Sequence, residues 1–240
     1  MGTDIHMTVE VKVPTYRYEG DDGDERQVEW QRVSYPFRDD YWYGVSMAEP
    51  DNKTARKYAH SMLHPYSGRN YVLFGVLGNV RNGSGFAGID TGDPVTPCVG
   101  AERGLPTDVD GDPDSFEYGD HSFGWATLPE LLEYDWSAGI VKRGVITLDQ
   151  YLEEDWREDG PSTWAGRVTG AGIVTYEDEE ALHLARMRGF PEGQQIFVKV
   201  QWTSDLTAYC QEFIEVLHFL KELLSDFDTD DVRLVYGFDS

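Results

Sequence analysis

Asp4 and His6 stand two residues apart near the start of the chain, and Asp120 and His121 stand side by side near its middle. On a strand, residues i and i+2 point the same way, so a carboxylate and an imidazole at that spacing share one face. Such donors suit a divalent metal such as zinc or manganese. Without a metal, the same residues run acid–base chemistry, the imidazole taking the proton and the carboxylate orienting it. The expected metal ligands are therefore Asp4, His6 and His121, and the expected catalytic groups are His6, His121 and Asp120, with Glu10 or Asp120 as base when a metal is bound. Neither pair has a diagnostic spacing, and the competing reading is a near-terminal histidine bonded to a carbonyl or carboxylate that stabilises a sheet. His60, His64, His183 and His218 fall on expected helices or their ends and are read as structural.

Arg69, Arg81 and Arg103 form a second constellation. Two flank an expected helix and the third opens the Arg103-Gly104-Leu105-Pro106 turn, so the three guanidinium groups could form a fork for phosphate or carboxylate. The alternative is that they neutralise neighbouring Asp and Glu. Tyr41 and Trp42, in a run with five aromatics from Tyr35 to Tyr43, either fold a loop onto the core or make a stacking wall for a planar ligand. Asp108-Val109-Asp110-Gly111-Asp112-Pro113-Asp114 invites a calcium reading, but Pro113 and Gly119 occupy the places where an EF-type loop needs glycine and an acid. A solvated acidic loop is the better account. Phosphate-loop, nucleophile-elbow, His-Glu-x-x-His and dinucleotide motifs are missing, which disfavours standard nucleotide hydrolysis.

The elements that must position these groups begin with a strand at Gly2–Val13, whose even face carries Asp4, His6, Thr8 and Glu10 and whose odd face is apolar. It forms an opening hairpin with Arg26–Ser34. Helices are expected from Asp51 or Asn52 to Leu63, from Gly68 to Val80, at two short sites opened by Thr127 and Thr147, from Glu177 to Arg188, and from Ser204 or Asp205 to Phe227. Arg167–Tyr176, Gln195–Thr203 and Val232–Phe238 read as strands. The expectation is one α+β domain, its mostly antiparallel sheet made by the hairpin and the two C-terminal strands with helices packed on it, and a loop-rich insertion at about 82–124.

Forty-four acidic residues against 20 basic ones give a formal charge of -24, which repels phosphate backbones and argues against general nucleic-acid binding. A local arginine pocket can still receive a small anion. Cys98 and Cys210 form no metal or redox motif, and no segment has the apolar length of a membrane span, so a cytoplasmic protein without membrane contact is expected.

The chain carries Met1-Gly2-Thr3-Asp4-Ile5-His6 with Glu10, Arg69-Asn70-Tyr71-x-Leu73-Phe74 running to Val80-Arg81-Asn82, Arg103-Gly104-Leu105-Pro106, and Asp120-x-Ser122-x-x-Trp125-x-Thr127-Leu128-x-Glu130-Leu131. Over residues 1 to 136 the chain resembles a family of uncharacterised proteins common in bacteriophages and prophages. Members usually open Met-Gly-Cys-Asp-Ile-His; with Thr3 in place of that cysteine, no thiol chemistry is expected here. The resemblance implies a viral origin, hence the cytoplasm of a host, and assigns no activity. Three functions follow as expectations. The first is an accessory protein binding a small anionic or nucleotide-like ligand through Asp4, His6, Arg69, Arg81, Arg103, Asp120 and His121, walled by Tyr41 and Trp42, and countering host defence signalling. The second is a phosphoester hydrolase dependent on a divalent metal ion. The third is an acidic mimic of DNA that occupies a host protein.

Overall fold

Ile5, Met7, Val9 and Val11 alternate with Asp4, His6, Thr8 and Glu10, and that period of two makes the first strand. The computed structural model describes residues 2–17, 25–33, 64–111, 118–153, 155–187 and 189–239. The expected hairpin tip, the aromatic run with Tyr41 and Trp42, the helix expected to end at Leu63, and Asp112, Pro113 and Asp114 lie outside these residues. The described elements are β1 (Asp4–Arg17), β2 (Glu25–Arg32), α1 (Tyr71–Gly78), β3 (His121–Thr127), α2 (Leu128–Leu132), β4 (Gly139–Thr147), α3 (Leu148–Glu153), α4 (Trp156–Asp159), β5 (Ile173–Glu177), α5 (Asp178–Met187), β6 (Gln195–Asp205), α6 (Leu206–Leu223) and β7 (Val232–Asp239). The class is α+β.

The chain divides into two compact units. The first holds Gly2–Arg69, Val99–Tyr134 and Glu212–Ser240; the second holds Asn70–Cys98 and Asp135–Gln211. The stretch at 82–124 is thus shared between the units, its residues up to Cys98 going to the second and those from Val99 to the first.

The first unit contains an antiparallel sheet in the order β2-β1-β7-β3. Val232, Leu234, Tyr236 and Phe238 of β7 lie opposite Val11, Val9, Met7 and Ile5 of β1, and all eight are buried. Phe213, Leu217, Leu220 and Leu224 recur at helical spacing from α6 into the residue just past it and are buried too. The second face of the sheet, read from sequence as polar, is closed as well at Thr8, Glu10, Arg233 and Val235.

Thr127 caps α2, its hydroxyl accepting from the Glu130 N–H while the Glu130 carboxylate accepts from the Thr127 N–H at 2.8 Å. Glu130 also takes a two-point bond from Arg103, at 2.9 and 2.7 Å, and that guanidinium holds its carboxyl down at about 2. A carboxylate whose folded pKa is depressed stabilises above the ordinary value of 4.5 and loses that contribution as the pH falls towards 2. Both partners are partly exposed, so Glu130→Gln is expected to cost only about 1 kcal/mol at neutral pH. The cost should vanish in acid, which thermal melts at several pH values will check.

The second unit has a mixed sheet in the order β4-β6-β5, with β6 antiparallel to β4 and parallel to β5. The two C-terminal strands therefore do not share a sheet: β7 lies in the first unit and β6 in the second. Ile146, Tyr151, Trp156, Ala181, Val198, Val200 and Trp202 make the core around this sheet. Thr147 repeats the cap of Thr127, its hydroxyl accepting from the Gln150 N–H at 3.3 Å. In α1 the side chains from Val72 to Leu77 are all buried, and Asn70 caps the helix by accepting from the Val72 and Leu73 N–H groups.

Candidate functional site

At the open end of the four-stranded sheet, β1 begins beside the last residue of β7. Asp4 is paired with Asp239 and His6 with Gly237, so Asp4, His6 and Asp239 share a face. One oxygen of Asp239 accepts from the Asp4 N–H at 3.1 Å, and the other lies 3.0 Å from His6 Nε2. A carboxylate can only accept, so Nε2 carries the proton, and in the neutral tautomer the lone pair is then on Nδ1. Among the described residues Nδ1 has no partner. The His6 imidazole holds the Asp239 carboxyl below the usual carboxylate range, with desolvation opposing and the Asp4 N–H adding to the effect.

Arg69 completes this corner by binding Asp4 at two points, Nε to Oδ1 and Nη2 to Oδ2, each at 2.8 Å. Its side chain is 53% exposed, so the carboxylate buttresses a guanidinium that still faces solvent. The side chains of His6 and Asp239 are 34% and 43% exposed, which makes their pair a modest contributor to stability and an accessible one. Chemically, the corner offers a cation held in place beside a lone pair held in place.

His121 reaches the same strand end from β3, but on the other side. It is paired with Phe238 and stacks on that ring with centroids 6.3 Å apart, whereas strand alternation puts Asp239 on the opposite face from Phe238. Asp239 feels both imidazoles, His6 by a hydrogen bond and His121 through space. His121 Nδ1 lies 2.9 Å from Ser122 Oγ, and Nε2 is 3.8 Å from Asp120, beyond hydrogen-bond length. Ser122 has φ +51 at a register shift in β3, a left-handed conformation that bends the strand and turns the hydroxyl towards the imidazole.

Other expected site residues are engaged by other partners. Arg103 is engaged by Glu130 and stands over Trp125, 5.0 Å from the ring centroid. Arg81 belongs to the second unit, where it covers Tyr71 at 5.0 Å. Glu10 is buried and binds Arg233, which donates from Nε at 2.8 Å; burial raises the Glu10 pKa although Arg233 opposes it. Among the described residues no three His, Cys, Asp or Glu side chains are arranged to hold a metal ion. Nor is any described helix long and apolar enough to cross a membrane.

The acidic loop is a strap on the sheet rather than a solvated tail over its described part. Asp108 accepts from Arg233 Nη1 at 2.8 Å, and Asp110 accepts from the Arg32 N–H at 2.8 Å while its own N–H donates to Glu10 at 3.0 Å. Burial pushes the Cys210 thiol up to about 12 and raises Cys98 too, the opposite of what a nucleophilic thiol needs.

Two features carried no signal in the sequence. Asp239, one residue from the end of the chain, is an isolated acid among many, and only its pairing with Asp4 singles it out. The second unit holds an open cavity of about 1100 Å³ lined by Arg143, Arg167, Lys199, Gln201, Glu177 and Glu179 among others. Arg143 is tied there to Asp93 and Asp90, at 2.5 and 3.2 Å, and Lys199 to Glu177, at 2.5 Å. Period-two alternation puts such residues on one face but does not say that a cavity forms over it. Compared with known proteins, the chain matches no family model, no curated protein and no solved structure.

Proposed function

We propose that the protein binds a small anionic ligand of the phosphate or nucleotide class at the corner formed by Asp4, His6, Arg69 and Asp239. Arg69 receives the anion, and His6 is the proton-accepting group beside it. The observation that carries this reading is Asp239, whose two oxygens join the Asp4 backbone to the His6 ring and so bring a buttressed guanidinium and an oriented imidazole to one exposed strand end. A nucleotide-type ligand also agrees with an accessory role against host signalling.

The test uses inorganic phosphate and AMP as probes and follows the histidine ring resonances by NMR. The expected result is a saturable shift of the His6 signals with AMP that is lost in Arg69→Gln and weakened in Asp239→Asn. If the shift does not saturate, or persists unchanged in Arg69→Gln, the reading is wrong.

A further inference from the structure

A separate feature of the second unit is Lys142, on β4, which is only 8% exposed. Among the described residues none gives it a hydrogen bond or an ion pair. Its cross-strand partner is Trp202, and its Nζ stands 5.3 Å from the Tyr209 ring centroid and 5.5 Å from that of Trp164. Trp164 reaches this position because Gly144, two residues on and on the same face, has no Cβ; one added there would meet the Trp164 ring at 2.7 Å. Trp164 then packs edge-on to Trp202, with centroids 5.4 Å apart, and Trp202 Nε1 donates to the Tyr209 hydroxyl at 3.3 Å. Two aromatic rings, Trp164 and Tyr209, therefore flank the amine, and Trp202 packs against both of them.

The charged groups of the described residues on the strands and helix packed against it have other partners. On β4 the next residue, Arg143, faces the other way and holds Asp90 and Asp93. On β6, Lys199 and Gln201 also take the opposite face, where Lys199 holds Glu177. Asp205, the last residue of β6, accepts from the Ala208 N–H of α6 at 2.8 Å, and Tyr209 on α6 is itself shifted up by burial, so it stays neutral. Aromatic faces attract an ammonium ion, but desolvation disfavours it, and among the described residues no carboxylate offsets that cost. Burial moves the pKa of this amine down.

We propose that Lys142 is a nucleophilic amine that forms an imine with a small aldehyde entering the box beside the partly exposed Trp164. The nitrogen lone pair attacks the carbonyl carbon, and a proton passes from nitrogen to oxygen to give a carbinolamine. Water then leaves as the C=N bond forms, with no net oxidation or reduction. This site is independent of the corner in the first unit and stands or falls separately.

The experiment treats the folded full-length protein with acetaldehyde and cyanoborohydride, which traps an imine as an ethyl amine, and maps the products by peptide mass spectrometry. Lys12, Lys199 and Lys221 are exposed and serve as internal standards. A lowered pKa leaves more free amine at neutral pH, so Lys142 is expected to react several-fold faster than the standards. That advantage should disappear near pH 10, where ordinary lysines also lose their proton. A Lys142 rate equal to or below that of the exposed lysines near neutral pH overturns the proposal and leaves a structural cation between aromatic rings. Lys142→Met separates the two roles again: it should melt no lower than the natural protein if the amine is neutral, and lower if a cation–π contact holds the fold.

Discussion

Arg233→Met is expected to destabilise the protein by about 3–5 kcal/mol, the usual cost of leaving one partner of a buried ion pair alone. Arg233 is 3% exposed and Glu10 is fully buried, and their contact at 2.7 Å is the centre of a network that also holds Asp108 and, through the Asp110 N–H, the acidic loop. The guanidinium lies 4.1 Å from the Trp30 ring centroid, so the methionine keeps part of the packing while removing the charge. The sign of the pH dependence follows from Glu10. Its folded pKa is already raised by burial, and losing Arg233 removes the main opposing effects. A carboxyl with a raised folded pKa is most stable in the fold while protonated, and that stability is lost as the pH rises through the folded value. The deficit of the variant should therefore grow as the pH rises above 4.5 and shrink as the pH falls towards it. Urea titrations of Arg233→Met, and of the double variant with Glu10→Leu, will check this. The double variant should recover most of the loss, because it buries no unpaired charge.

Gly119→Ala is expected to cost about 2–4 kcal/mol, combining a left-handed backbone that an L side chain rarely adopts with overpacking. Gly119 has φ +83, and a Cβ there would run into the backbone of Phe238, 2.6 Å from its carbonyl carbon. Neither backbone can yield cheaply, because the next residue, Asp120, donates its N–H to Phe238 O at 2.7 Å and starts the pairing of β3 with β7. The substitution should also move His121, whose ring rests on Phe238. Thermal denaturation will give the stability loss, and the His121 ring resonances will report the displacement. A full-strength Phe238 contact with a lowered melting temperature would mean that strain alone is at work.

Strong local signals were legible in the chain. The alternation from Ile5 to Val11 and the apolar run of Val232 to Phe238 gave strands at these places, and Thr127 and Thr147 gave two capped short helices. β3 and β4 were not legible. His121-Ser122-Phe123-Gly124-Trp125 is broken by a bulge, and in β4 a lysine and a glycine occupy inward positions where apolar side chains would have shown the period. Arg69, Arg81 and Arg103 looked alike in sequence, yet each met a different neighbour: a carboxylate on β1, an aromatic ring, and a capping glutamate.

The amino-acid order by itself determined which residues alternate, which cap helices, and that a chain of charge -24 must neutralise its arginines internally. Only the tertiary structure decided which acid meets which base. Asp4 and Asp239 are separated by nearly the whole chain and become neighbours through the register of β1 on β7. That register is set by burying Ile5 against Phe238 and Met7 against Tyr236, because a slip of one residue would turn the entire apolar set outwards. The polar corner with His6 is a consequence of how the opposite, apolar face packs.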